Sequence, residues 1–376
     1  MYPTTVKDSK CMYKTAVSRS AFPLCTGISR VLFCFLIGLA ILTVSTSIQA
    51  DHEPEEDLTE LSIEELLQVQ IVHNPVSVLT SHIHKQGEWM IGYRYMNMEM
   101  DGNRDGTSDV STASVLTDFA ITPISMRMES HMMSLMYAPS DDLTLMAMLP
   151  YKILSMDHVT RTGVTFTTRA EGIGDLGIMG HYVLLRAPQD RYLFSLQGGV
   201  SFPTGSIDER DQTPTGPNQK LPYPMQLGSG TYDLKIGANF QYFKDQWLFG
   251  ANSMGTIRLG ENDNDYRLGN VLEIGSNVTY GWTDWLSTTF RLNGKSWGNI
   301  SGADPELNPA MISTADPDRR GGTRIDALFD VELYVPNGKW KGNSFGIEFG
   351  VPIYQNLEGP QLETDWIISV GWQWVY

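Results

Sequence analysis

The chain has 376 residues, with 27 Lys and Arg against 43 Asp and Glu and a formal net charge of −16 at pH 7. Such an acidic balance argues against a nucleic-acid partner, because phosphate backbones are held by basic groups. All three cysteines, Cys11, Cys25 and Cys34, lie near the N-terminus, so neither disulfides nor thiolate metal sites are expected beyond it.

Lys7, Lys10, Lys14, Arg19 and Arg30 precede an apolar run from Val31 to Val44. That run is too short to span a bilayer as a helix but suits the core of a secretory signal. Residues 1–50 are therefore read as a signal peptide cleaved after Ala50. Residues 51–84 follow as an acidic periplasmic extension that opens with Asp51, Glu53, Glu55, Glu56 and Asp57. Ser62 and Glu65 have capping-box spacing, so this extension is expected to hold a short helix or to form a small plug.

Residues 85–376 repeat one unit: an alternating run, a short turn, another alternating run, then a longer polar loop. Strands are expected at 88–100, 125–138, 143–156, 173–186, 192–204, 230–244, 247–259, 267–282, 285–299, 324–335, 344–354 and 364–376. The connections at 139–142, 187–191, 245–246, 283–284 and 336–343 are short. Those at 101–124, 157–172, 205–229, 260–266, 300–323 and 355–363 are mostly long and rich in Gly, Asp, Asn and Pro. Strict alternation of short and long connections, with strands long enough to cross a bilayer at a tilt, predicts an all-β fold. The expected form is a transmembrane antiparallel β-barrel of twelve strands with both termini on the short-turn side. The final stretch, Trp366 to Tyr376, places Trp366, Ile368, Val370, Trp372, Trp374 and Tyr376 on one strand face, as expected of a lipid-facing strand ending in an aromatic girdle.

One face of each strand is nearly free of charge. Ile178, Tyr182, Leu196, Ile236, Phe329, Phe345, Ile347 and Phe349 belong to the predicted lipid side. The opposite faces carry Arg94, Lys152, Lys235, Arg258, Asp326 and Glu332, the expected lumen determinants, with Arg291, Arg324, Asp175, Asp233, Glu273, Asp330 and Glu348 among their neighbours. Met96, Met98, Met146, Met148, Met179 and His181 fall on the same inward faces. Met126, Met128, Met132 and Met136, with His131, lie on a strand whose facing is ambiguous. Thioether and imidazole form the ligand set that soft Cu(I) or Ag(I) selects, although methionine also serves as a pliable filler. Asp101, Asn103, Asp105 and Asp109 have the spacing of the first nine positions of a calcium loop, but Thr112 replaces the bidentate twelfth residue. No other cofactor is indicated. His82 and His84 are read as surface residues. Some outer-membrane phospholipases are twelve-stranded barrels that use His with Ser, but no pattern resembling their His and Ser-Asn signature surrounds His131 with Ser130 or His158 with Ser155, and no enzymatic role is assigned to them.

EGIGDLGIMGHYVL (Glu171 to Leu184), SFPTGS (Ser201 to Ser206) and QLGSGTYDLKIG (Gln226 to Gly237) resemble a bacterial outer-membrane family named for the meta-pathway of phenol degradation and described simply as transporters. The resemblance covers roughly residues 85–376. It implies a porin-like protein that passes small organic compounds, and it carries over no catalytic residue. The chain is accordingly expected to be a passive outer-membrane channel for small solutes in a Gram-negative bacterium. Its expected partners are membrane lipid, the barrel-assembly machinery and a small-molecule or ion cargo. The alternatives are a Met-rich barrel that binds or conducts copper or silver ions, and a non-conducting structural or adhesive barrel.

Overall fold

A strand that alternates apolar and polar side chains buries one face only if the sheet curls, and a closed ring also satisfies every edge. The computed structural model describes residues 83–187 and 191–376 and has this form. The expected signal peptide, and the Ser62–Glu65 capping box with its helix, lie outside the described residues. No helix among the described residues is long and apolar enough to cross a membrane.

In chain order the elements are β1 (Trp89–Gly106), β2 (Ser108–Val110), the short helix α1 (Thr112–Asp118), β3 (Ile121–Ser140), β4 (Leu143–Thr160), β5 (Thr165–Ile173) and β6 (Leu176–Arg186). They continue with β7 (Tyr192–Phe202), β8 (Arg210–Thr213), β9 (Gly216–Lys220), β10 (Tyr232–Lys244), β11 (Trp247–Leu259) and β12 (Tyr266–Arg267). The chain ends with β13 (Val271–Gly281), β14 (Leu286–Trp297), β15 (Ser301–Gly302), β16 (Gly322–Tyr334) and β17 (Asn343–Val375). The ring order is β1, β3, β4, β6, β7, β10, β11, β13, β14, β16, β17, with β17 closing on β1; β2 and β5 are short additions outside it.

Those eleven elements make twelve staves, because β17 doubles back. Residues 344–357 of β17 pair with β16, whereas 357–375 pair with β1. Its two ends meet: the Val375 N–H donates to the Gly342 carbonyl at 2.9 Å, and Trp372 Nε1 donates to Asn343 Oδ1 at 2.9 Å. The twelve-strand expectation thus holds, with the expected 355–363 loop absorbed into a continuous hairpin. A similar correction applies elsewhere at the long-loop end. The expected loop 157–172 is a tight turn between Thr160 and Thr165, and β1 runs on to Gly106 before pairing with β2. These outer hairpins have lost apolar alternation yet keep their backbone ladders, which satisfy peptide groups whatever the side chains are.

The predicted lipid-facing side chains are exposed or half-exposed throughout, and Ile178, Ile236, Phe329, Ile347 and Phe349 each exceed 45% exposure. Aromatics gather at the short-turn end, where Trp89 stacks near Tyr137 (4.4 Å between ring centroids), Tyr192 near Tyr242 (4.9 Å) and Trp247 near Tyr280 (4.7 Å). Trp and Tyr suit such a girdle because each carries an apolar body with a polar handle. At the opposite end the long connections pack on one another. Tyr223, Tyr266 and Ile300 from three different loops form a buried cluster with Leu268 and Leu307. Lys220 Nζ lies 3.2 Å from Asp304, and Arg210 lies 2.6 Å from Glu306, which ties the same loops together.

Candidate functional site: the barrel interior

Inward-facing residues alternate with the lipid-facing ones, so each strand delivers a side chain to the interior every second position. Charged side chains reach the interior from β1 (Arg94), β14 (Arg291 and Lys295), β16 (Arg324, Asp326, Asp330 and Glu332) and β17 (Glu348). Glu348 is buried and accepts from Arg94 at 3.0 Å and from Arg291 at 2.5 Å, one guanidinium on each carboxylate oxygen. Arg94 also donates to Ser369 Oγ at 3.0 Å. Asp330 sits directly across from Glu348 in the sheet, and Glu332 lies one inward position nearer the short turns; both are buried. Arg324 lies 2.9 Å from Asp326 and donates to Thr364 Oγ1 at 2.6 Å. Of the expected determinants, Arg94 is thus paired with Glu348, Asp326 is paired with Arg324, and Glu332 is buried farther along β16. Arg258 pairs instead with Asp233 on the neighbouring strand. Lys235 is held by Thr256 Oγ1 at 3.4 Å, beside an ion pair of Lys295 with Glu273 at 3.3 Å.

Lys152 has a different task. Its ammonium donates to the Leu227 carbonyl at 2.6 Å, and Leu227 belongs to the long connection between β7 and β10. That connection folds into the barrel: Leu221, Met225 and Leu227 are buried against Met126, Leu154 and Met156 of the wall and Ala170 of β5. Asp175 clasps its two ends. One carboxylate oxygen accepts the Gly205 N–H at 3.0 Å, while the other accepts the Ser229 N–H and hydroxyl, each at 2.8 Å. Thr204 Oγ1 accepts from the Leu176 N–H at 2.9 Å and donates to the Gly174 carbonyl at 2.8 Å. Gly205 and Gly228 cross so closely that a Cβ on Gly228 would lie 2.3 Å from the Gly205 carbonyl oxygen, so both positions demand glycine. The three motifs that carry the family resemblance thus converge in space on one knot.

Near the short turns the interior is lined by thioethers. Met90, Met136, Met146 and Met179 occur side by side on β1, β3, β4 and β6, each directly opposite the next in register. With Met254 they form a cluster whose buried members are all methionine, and Met148 packs against it. One inward position nearer the turns come Thr144 and His181, again directly opposite each other and both buried. The chain before β1 closes beneath them, where the His84 N–H donates to Thr144 Oγ1 at 3.1 Å. Burial first, and then the nearby His181, push the His84 imidazole down to about 4, so it is neutral at neutral pH.

Several expectations need correction. His84 is a buried residue and not a surface one, because the segment entering the barrel packs under the mouth; His82 lies outside the described residues. Met96 and Met98 do not join Met146, Met148 and Met179. Met96 faces Ser130 and Ser369 in register, and the Met98 sulfur accepts from Arg324 and Thr364 at 3.8 Å. Met90, Met136 and Met254 take their places. Met90 shares the parity of Arg94 and was legible on that ground, whereas Met136 sits on the strand whose facing the sequence left ambiguous. His131 points outward to Tyr93, whose hydroxyl is 2.8 Å from its Nδ1, while Ser130 is buried inside. Adjacent strand residues face opposite ways, so neither His131 with Ser130 nor His158 with Ser155, three apart, shares a face. The calcium-loop residues are spread along a β-hairpin. Asn103 is buried and donates to the Pro123 carbonyl at 2.9 Å, Asp105 accepts the Gly359 N–H at 3.2 Å, and Asp109 pairs with Arg104 at 2.6 Å. Asp101 is exposed farther along β1, and no three His, Cys, Asp or Glu residues converge as a metal site among the described residues.

Comparison with known proteins agrees with this architecture. Residues 124–304, which include all three motifs of the knot, match the family model described as "Putative MetA-pathway of phenol degradation". Among solved structures, an outer membrane channel from Pseudomonas putida F1 aligns with a TM-score of 0.56 at 15% identity, over 78% of this chain and 97% of that one. A Pseudomonas aeruginosa FadL homologue aligns at a TM-score of 0.36 and 11% identity, over 77% of this chain and 89% of that one. The KdgM porin aligns at 0.35 and 10%, over 76% of this chain and 98% of that one. No curated protein matches. The first likeness is one of fold, and the fold is that of an outer-membrane barrel.

Proposed function

We propose that the chain is an outer-membrane channel for the passive passage of small solutes in a Gram-negative bacterium, with its short turns and aromatic girdle toward the periplasm. The observation that carries this reading is the set of buried charges of both signs inside a closed ring, where Arg94 and Arg291 meet Glu348, Arg324 meets Asp326, and Asp330 and Glu332 lie buried on the same wall. A barrel filled only for stability is more cheaply packed with apolar groups, since burying charges carries a desolvation cost. Ionised side chains across a narrow passage create a transverse field that selects solutes by charge and polarity. The inward loop held by Asp175 and Lys152 narrows the route and sets the size of what passes. Small organic compounds with a polar group fit such a passage, in keeping with the family and with the channel whose fold the chain shares. No enzymatic role is assigned.

Lipid is the partner of the outer face. The barrel-assembly machinery is the partner of the C-terminal strand during biogenesis, through its alternating aromatics. Planar-bilayer recording of the refolded protein tests the function: discrete conductance steps with a defined ion preference are expected. A folded barrel that inserts and passes no current would overturn the channel reading and favour a structural or adhesive barrel.

A further inference from the structure

The methionine cluster is unlike the other apolar packing in this interior. Beneath the inward loop, Met126 and Met156 mix with Leu154, Ala170, Leu221 and Leu227, as in an ordinary core. At the short-turn end every buried member of the cluster is methionine, on strands where leucine would pack as well. Directly opposed residues on neighbouring strands have Cβ atoms about 4.5–5.5 Å apart, so each neighbouring pair of thioethers in the row Met90, Met136, Met146, Met179 is within reach of an ion held between them. His84 and His181 lie on the turn side of that row, joined through Thr144.

We propose that Met90, Met136, Met146 and Met179, with the imidazoles of His84 and His181 beneath them, form a binding site for a soft monovalent cation, Cu(I) or Ag(I). Neutral sulfur and nitrogen donors select soft ions, whereas calcium and magnesium require several oxygen ligands that this cluster does not supply. Residues 83–376 contain no cysteine to compete for the ion. The site stands at the periplasmic mouth of the proposed channel, but it binds whether or not the pore conducts.

The test uses the full refolded chain in detergent, with anaerobic Cu(I) competed against a chromophoric chelator and Ag(I) titrated in parallel. About one equivalent per chain is expected. Met136→Leu combined with Met146→Leu, a volume-conserving change that keeps the packing, should weaken binding about tenfold or more. Met96→Leu with Met98→Leu should leave it unchanged, since those side chains lie elsewhere. Heat-modifiable gel migration reports whether each variant has folded. In the unaltered protein, Ag(I) should shift the methyl resonances of Met90, Met136, Met146 and Met179, which keeps the test decisive if a variant fails to fold. No uptake, wild-type affinity in the folded Met136/Met146 variant, or movement confined to the Met96 and Met98 methyls would overturn the site. Absent conductance with intact uptake would sink the channel reading alone.

Discussion

The carboxylate of Asp175 accepts two backbone N–H groups and a hydroxyl from the two ends of the inward loop. Hydrogen bonds to a charged group contribute about 1.5–3 kcal/mol each, and they add imperfectly when they share one acceptor. Asp175→Ala should therefore release the loop while leaving the wall folded. Faster proteolysis between residues 207 and 226 and a larger unitary conductance are the expected outcomes, and an unchanged cleavage rate would contradict the clasp. A second carboxylate, Asp208, sits in the outer cap, where the Lys220 ammonium and then the Asn264 amide hold it below its ordinary value of 3.8. A depressed carboxylate stabilises the fold above its unfolded value and loses that contribution as pH falls through the folded one. Protection of cap amides against hydrogen exchange should thus stay constant from neutral pH to about 4 and fall only below that range. At this scale the sequence was half legible. Asp175 was correctly placed on an inward face by its parity, yet its bonding to Gly205 and Ser229 depends on a loop path that no periodicity encodes. His84 illustrates the same limit, because nothing local to it signals that the entering segment turns under the barrel mouth.

Strands were the most legible elements, because lipid on one side and polar groups on the other impose a period of two over ten or more residues. Their outer ends were not, since beyond the apolar band the backbone ladder continues without any side-chain pattern, as in β4, β5 and the tip of β17. Parity itself makes a sharp expectation. Ile347 faces outward between the exposed Phe345 and Phe349, while Glu348 faces in. Ile347→Arg should destabilise the inserted barrel by about 2–4 kcal/mol if that position lies near the bilayer midplane, measured by reversible denaturant unfolding from vesicles. A change within about 0.5 kcal/mol would mean that the face had been misassigned. The C-terminal residue offers another test. Tyr376 and Trp89 exchange both backbone hydrogen bonds, at 2.8 and 2.9 Å, at the foot of the closing pair. Deleting Tyr376 removes both and shortens the girdle, and the yield of heat-modifiable barrel in the membrane should fall.

Across the whole molecule the interior divides by side. Buried thioethers, with His181, are concentrated on β1, β3, β4 and β6 near the short turns, while the ion pairs are concentrated on the strands from β10 to β17, joined by Arg94 of β1. Glu348 bridges two arginines from opposite flanks of the closing hairpin. Removing its charge by Glu348→Gln leaves both guanidinium groups facing the passage. The reversal potential in a salt gradient should then move toward anion preference, and an unmoved potential would place the conduction path elsewhere. The sequence placed these residues on inward faces but not in contact, because strands far apart in the chain become neighbours only through ring closure.

That closure also dictates an order of events. The β1–β17 ladder joins the first described strand to the last, and its register breaks at Glu99/Met100, Met100/Asn103 and Arg104/Gly106. Pairing of segments so distant in sequence is slow, since the intervening chain must be organised first. Every other neighbouring stave can zip up with its predecessor as a local hairpin. The seam alone must wait for the complete sheet, and the Arg94–Glu348 contact, which reaches across it, can form only when the cylinder is already whole.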